Sequence, residues 1–197
     1  MMSTITNTAV APAFIPGMID NPLVSLKHKI TTVNLYMRPV NESDLVDFIE
    51  LFSDLSVMKF VGLEAGFIPS FKEIEQLHNS AVNAWKTRGY GRWSLFDSKI
   101  KEFVGFCGFR SEQGKPELIC MLHERFWGRG LAVEAANACL GYGFESLEFT
   151  EVKAFTRPDH SRARRAMDKL GAGFTGYVNF HGVEGAAYLI KLDSIEF

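Results

Sequence analysis

The sequence predicts a mixed α/β (α+β) fold in one main domain, and three observations carry that expectation. In the middle of the chain the apolar run LICML at 118–122 leads into a turn holding Gly128 and Gly130, and helical periodicity starts directly behind it. That order is strand, glycine turn, helix. Two β-type runs, GRWSLFDS at 91–98 and KEFVGFCGFRS at 101–111, are joined by a polar turn around Ser98 to Lys101 and read as an antiparallel hairpin. Finally, 197 residues are enough for one sizeable core and short for two full domains.

Taken in order, residues 1–30 form an N-terminal extension with three prolines and no clear period, so an irregular segment is expected. Its apolar residues Phe14, Ile15, Met18, Ile19, Leu23 and Val24 suggest packing on the domain or on a second subunit, which leaves a homodimer open. The domain proper spans 31–197. It opens with the β-type run TVNLYMRPV at 32–40, stopped by Pro39. Asn41 or Ser43 can cap a helix carrying Leu45, Phe48, Ile49 and Phe52 at helical spacing, and a short helix is expected over 54–60. Ser70 with Glu73 three residues on is a capping-box pattern for a helix to about Lys86. In the second hairpin strand Gly105 and Gly108 point to a bulge or a close backbone approach. KPELICMLHE at 115–124 then enters the glycine turn, and a helix rich in small residues runs from Leu131 to about Leu147. A strand over 151–159, a helix over 160–171 stopped by Gly171, and a hairpin across Gly182 to Gly185 complete the chain.

Composition excludes some classes of function. Hydrophobic residues at 47% and charged residues at 22% are ordinary for a globular domain. A net charge of −2 and a pI near 6.2 supply no basic field to recruit nucleic acid or an anionic membrane. No run approaches membrane-spanning length, and no charged and apolar leader opens the chain. Cys107, Cys120 and Cys139 have no metal-ligand spacing and read as buried free thiols of a reducing compartment, so a cytoplasmic protein without a metal is expected.

The glycine turn carries the chemistry. Its backbone can adopt conformations closed to other residues, and the first-turn N–H groups of the following helix favour an anion. A phosphate or pyrophosphate site follows. No Lys-Ser or Lys-Thr pair comes after the glycines, which removes the Walker A loop. The dinucleotide fingerprint wants Gly or Ala where this chain has Val133, and a strand where it has Phe126 and Trp127; only Glu148 and Glu151 keep that reading open.

What fits is Arg125-x-x-Gly128-x-Gly130-x-Ala132, which resembles the acyl-CoA pyrophosphate loop of the GNAT superfamily of N-acetyltransferases; LHERFWGRGLAVEAA, MRPVNESDL and SDLSVMKFVG resemble its RimJ/RimL type over roughly residues 33–192. The resemblance implies a mostly antiparallel sheet of six to seven strands flanked by helices, with a splayed central strand pair. It implies acetyl-CoA as co-substrate, held by the backbone of Cys120, Met121 and Leu122 along the pantetheine arm and by Arg125, Phe126, Trp127, Gly128, Arg129, Gly130, Leu131 and Ala132 at the pyrophosphate. His160 stands where the family usually has a cofactor-contacting Asn, and Ala163 where it often has a Ser that protonates the leaving thiolate. Ser161, Tyr142 and Tyr177 are the substitutes within the sequence. Arg157, Arg162, Arg164, Arg165 and Lys169 are either a solvated helix face or contacts to CoA phosphates.

An acyl acceptor amine must lose a proton, since an alkyl ammonium has a pKa near ~10.4. Glu117, at the start of the cofactor-binding strand and at the position of a common family Glu, is the candidate base; His123 and Glu124 are further ones. Cys120 beside the thioester could suggest an acyl-cysteine, but no activating His or Lys is in its local sequence. Phe60, Phe67, Phe71 and Trp85 either wall an acceptor groove or belong to the core. The expected activity is transfer of acetyl from acetyl-CoA to a primary amine, on a small molecule or a protein N-terminus. The alternative is an acyl-CoA-binding module that has lost its acid chemistry with Ala163.

Overall fold

A computed structural model describes residues 28–61, 66–180 and 182–192. Most of the expected N-terminal extension, residues 1–27, lies outside the described residues. The chain forms one sheet of eight strands in the order β1-β2-β3-β4-β5-β6-β8-β7. These are β1 (Ile30–Thr31), β2 (Leu35–Pro39), β3 (Arg92–Asp97), β4 (Phe103–Glu112), β5 (Lys115–Leu122), β6 (Glu151–Thr156), β7 (Gly173–Phe180) and β8 (Val183–Lys191). Every neighbouring pair is antiparallel except β5 and β6. The sheet exceeds the expected six to seven strands by β1, two residues that pair with Met37 and Tyr36 and are too short to show a period. β1 also moves the start of regular structure to Ile30, inside the expected extension.

Helices cover both faces. On one lie α1 (Leu45–Phe52), α2 (Leu55–Met58) and α3 (Phe71–Arg88). Phe48, Leu51, Met58 and Ile74 bury themselves against Phe103 and Phe106 of β4, and the Phe48 ring stacks on Phe106 at 5.2 Å. On the opposite face α4 (Leu131–Glu145) packs Leu131, Ala135, Cys139 and Leu140 onto Trp93, Leu95, Cys107, Phe109 and Leu118. The short α5 (Ser161–Lys169) follows β6. Among the described residues no helix is long and apolar enough to cross a membrane.

Local chemistry sets the helix starts. Asn41, rather than Ser43, caps the short turn before α1. Asp44 in that turn is 1% exposed and accepts hydrogen bonds from Arg38 (2.8 and 2.5 Å), the Asn41 N–H (3.0 Å) and the Ser94 hydroxyl (2.6 Å), so its buried charge is fully answered. α3 opens with the expected Ser70–Glu73 capping box and continues to Arg88, where Gly89 at φ +73° ends it.

The feature that shapes the site is the parallel pair. β5 and β6 share two register positions, Glu117 with Lys153 and Leu118 with Ala154, and then diverge. On its other side β5 stays paired with β4 from Lys115 to Leu122. Gly105 of β4 makes that close pairing possible: at φ +146°, a Cβ there would lie 2.1 Å from the Met121 carbonyl oxygen and 2.8 Å from the Leu122 Cα. We therefore expect Gly105→Ala to force β4 and β5 apart and cost about 3 kcal/mol or more. The measurement is thermal unfolding, with a midpoint lower by roughly 6–12 °C; an unchanged midpoint would contradict so close an approach.

Candidate active site

The loop between β5 and α4 rests on two glycines in left-handed backbone. Gly128 and Gly130 take φ +75° and +79°, and an added Cβ at either meets nothing within 4 Å. Their glycine identity therefore serves backbone conformation and open space, not packing. Gly130 is the N-cap of α4 and brings no capping side chain, and the first bond of the helix runs from the Glu134 N–H to the Gly130 carbonyl at 3.1 Å. The N–H groups of Leu131, Ala132 and Val133 precede that bond at the positive end of a 15-residue helix.

Long-range contacts hold this loop in place. Glu134 accepts from the Thr32 hydroxyl (2.6 Å), the Asn34 N–H (2.7 Å) and the Asn34 side-chain amide (3.0 Å), which fastens the first turn of α4 to the β1–β2 connection. Phe126 is 2% exposed and lies between the guanidinium groups of Arg125 and Arg129, 5.1 and 5.3 Å from its ring centre. Arg129 pairs with Asp97 at 2.8 Å, and Arg125 reaches Glu50 at 3.3 Å and Glu102 at 3.7 Å. The side chains of Phe126 and Arg129 thus fix the loop. Arg162 is the member of the basic cluster that reaches it, 4.9 Å over the Trp127 ring. Arg157 instead pairs with Asp159, and Arg164 contacts the Tyr188 hydroxyl.

The three residues expected along the pantetheine arm are not equivalent. The His123 N–H bonds to Val104 of β4, and the Met121 carbonyl points at Gly105, so the odd-numbered backbone groups of this segment face β4. Alternation turns the backbone of Cys120 and Leu122 toward the gap left by β6. The Met121 backbone thus faces β4. The Leu122 carbonyl accepts from Trp127 Nε1 at 2.8 Å, which leaves the Leu122 N–H and both backbone groups of Cys120 directed at the gap. Cys120 is an exposed residue, not a buried one as its apolar context suggested, while Cys107 and Cys139 are buried.

Glu117 sits at the closed end of the gap, 2% exposed, and both its oxygens accept from Arg110 of β4 at 3.0 and 2.8 Å. Nothing in the spacing of the sequence announces Arg110; the β4–β5 register places it opposite Glu117. His123 lies 3% exposed in the core beneath α1, its ring 6.0 Å from Phe103. Glu124 belongs to a short turn whose carbonyl accepts from the Trp127 N–H. His160 stacks on Phe60 with ring centres 3.8 Å apart, linking the end of α2 to the start of α5. Trp85 belongs to the core, whereas Phe67 and Phe71 are 50% and 59% exposed.

Burial, and then the neighbouring Arg125, pushes the His123 imidazole below its ordinary pKa; burial and then Arg162 do the same to His160. A base whose folded pKa is depressed binds fewer protons than the unfolded chain as pH falls below about 6.5, so stability is lost in that direction. We expect the thermal midpoint to fall between pH 7 and pH 5, and His123→Phe to flatten that slope. A slope unchanged in the variant would remove His123 as its source.

Ala163 has no side-chain proton donor, and the two tyrosines make other contacts. The Tyr142 hydroxyl contacts His28 at 2.5 Å while its ring packs on Trp93 of β3, and Tyr177 is 53% exposed on the outermost strand β7. Ser161 is exposed at the first position of α5. Among the described residues no group of three or more His, Cys, Asp or Glu could hold a metal ion.

A parallel pair that opens beside a glycine loop and an uncapped helix start is the arrangement that the GNAT resemblance implies for an acyl-CoA-dependent acyltransferase. The chain belongs to the acetyltransferase (GNAT) domain family, whose model matches residues 34–173, and it is an acetyl-CoA-dependent N-acetyltransferase. It is 29% identical to the uncharacterized protein YkkB of Bacillus subtilis (strain 168) over 160 residues, 77% of this chain and 89% of the relative. Its fold is similar to that of RimL, a ribosomal L7/L12 alpha-N-protein acetyltransferase solved with coenzyme A (TM-score 0.70, 14% identity, 85% of this chain and 99% of that one). It is also similar to spermidine N-acetyltransferase from Vibrio cholerae solved with CoA and spermine (TM-score 0.66, 18% identity, 83% and 98%).

Proposed function

We propose that the protein moves acetyl directly from acetyl-CoA to a primary amine, with no acyl-enzyme, and that Glu117 receives the amine's proton. The observation that carries this reading is the divergence of β5 from β6 after Leu118, directly before a loop whose two glycines have open space above them. The residues present fit the co-substrate: backbone N–H groups at Leu131, Ala132 and Val133 suit a pyrophosphate, and the Cys120 and Leu122 backbone suits an amide-bearing arm. Acetyl-CoA supplies an activated acetyl group. The chain's own contribution is to fix that group by strand-like backbone contacts and to present an N–H of the gap to its carbonyl oxygen, which gains negative charge during attack.

Glu117 can act as a proton acceptor although Arg110 holds it, because a carboxylate oxygen offers two lone pairs and one Arg N–H takes only one of them. The amine nitrogen bonds to the acetyl carbon as the carbon–sulfur bond breaks, the electron pair leaves on sulfur, and the ammonium proton passes to Glu117 directly or through water. A thiolate whose conjugate acid has a pKa near ~8.5 is a fair leaving group, so solvent can protonate it in the absence of a hydroxyl at Ala163. The RimJ/RimL-type loop motif supports an acceptor of the protein N-terminal or small-amine kind, and the three cysteines without a metal-ligand pattern support a reducing compartment.

The test is thiol release from acetyl-CoA across a panel of amines, alongside calorimetry. Micromolar acetyl-CoA binding with amine-dependent thiol release supports transfer. Binding without release from any amine favours the non-catalytic alternative.

A further inference from the structure

Where β5 and β6 part, one side chain takes the place of the departed strand. The His123 N–H bonds to Val104 of β4, so the Leu122 carbonyl, on the opposite side of the same planar peptide, points away from β4 and into the gap. Carried on by four positions, the Leu118–Ala154 register would set Leu122 opposite Pro158. β6 ends at Thr156, short of that position, and the Arg157 carbonyl is taken by the His160 N–H at 3.0 Å in the turn into α5. Trp127 answers Leu122 instead. Its indole Nε1–H donates to the Leu122 carbonyl at 2.8 Å, the bond that a neighbouring strand would otherwise make.

The indole is half-buried and packs against the hydrophobic clusters on both faces of the sheet, the one under α4 and the one under α1 to α3. A side chain reaches both faces only where a sheet is interrupted or ends, and the Leu122 bond puts Trp127 at that place. The Arg162 guanidinium of α5 lies 4.9 Å over its ring. His160, two residues earlier, stacks on Phe60 with ring centres 3.8 Å apart. The start of α5, which carries the β6 side of the gap, is thus tied to the β5 side by two aromatic contacts, where backbone pairing has stopped.

Resting on the transfer reading above, we propose that Trp127 is a positioning residue for acyl transfer: its indole stands in for β6 at Leu122 and, with Arg162, sets the distance between the separated strands before the acyl-CoA arm arrives. The bond to the carbonyl holds the backbone at Leu122 extended, and with it the Leu122 N–H that faces the same gap. Without the indole, that carbonyl is left to water and the end of β5 gains freedom that binding must then remove. Trp127 acts through Leu122 and Arg162, by shaping the gap rather than by touching the reacting atoms.

Trp127→Phe keeps a ring for Arg162 and removes the N–H. It is expected to raise the acetyl-CoA Kd in calorimetry and the acetyl-CoA KM in the thiol-release assay by about 2- to 10-fold, the span of one hydrogen bond, with the amine KM unchanged. Arg162→Met leaves the Leu122 bond intact, loosens α5, and is expected to raise both by a similar factor of about 2 to 10; it carries the test if the Trp127 variant does not fold. Acetyl-pantetheine, which has the arm without the nucleotide, should lose kcat/KM in parallel with acetyl-CoA in both variants. Tryptophan emission gives a second readout. Trp85 and Trp93 are buried, with their Nε1–H groups on the carbonyls of Arg92 and His28, so Trp127 is the one of the three that reports on the gap. Acetyl-CoA should change the emission of the wild type and not that of Trp127→Phe. An unchanged acetyl-CoA KM beside a lowered thermal midpoint marks a merely structural residue and overturns the proposal. So does a loss seen with acetyl-CoA and not with acetyl-pantetheine, which marks a direct phosphate contact, or a wild-type emission that bound acetyl-CoA leaves unchanged. Each of these leaves acetyl transfer intact, whereas absence of acetyl-CoA binding to the wild type in calorimetry overturns the transfer reading itself.

Discussion

Gly130→Val is expected to weaken acetyl-CoA binding by at least about 100-fold while lowering the thermal midpoint by only a few degrees. The two effects separate because of where the side chain goes. At φ +79° an L-residue costs roughly 1–2 kcal/mol, and for a domain of this size that is worth only about 2–8 °C. The added Cβ meets no protein atom within 4 Å, so the fold has little else to lose at that atom. They instead occupy the space above the first-turn N–H groups of α4, where a pyrophosphate must approach, and relief of the strain tilts those groups away. Calorimetric titration with acetyl-CoA checks this, with CoA and NAD as controls. Full affinity in the variant would reduce the loop to a turn, and NAD binding by the wild type would revive the dinucleotide reading.

Glu117→Gln is expected to lower kcat by about 10²- to 10³-fold, the usual contribution of a positioned base. The substitution also disturbs Arg110, since an amide nitrogen then faces a guanidinium that previously met two oxygens at 3.0 and 2.8 Å. Structural and chemical roles are told apart by pH. An amine deprotonates in solution as pH rises toward its pKa of about 10.4, so the need for a base fades and the deficit of the variant should shrink. A deficit constant across pH would assign Glu117 to positioning Arg110 instead.

Residues close together in sequence were the legible part of this site. Gly128 and Gly130 announced left-handed backbone and an open helix start because both properties are local, and Ser70 with Glu73 announced α3 for the same reason. Motif resemblance pointed to the splayed strand pair, and the two-position pairing of β5 with β6 has that form. The eighth strand was illegible because two residues carry no period. The exposure of Cys120 followed no local signal either: its neighbours are apolar, and it is the departure of β6 that uncovers it.

Sequence by itself determined the class of fold, the glycine loop before α4 and the single carboxylate at the head of β5, since each depends on backbone preferences or residue types within a few positions. Tertiary structure decided which groups those residues meet. Register parity turned Met121 toward β4 and Cys120 and Leu122 toward the gap, and the same register set Arg110 on Glu117. Glu134 found Thr32 and Asn34 about a hundred positions away, and the Arg92 guanidinium came to lie over Phe106 with its Nη1 buried and unpartnered among the described residues. Sheet register is fixed by the packing of two cores on opposite faces, and a shift of one residue would exchange every contact across them.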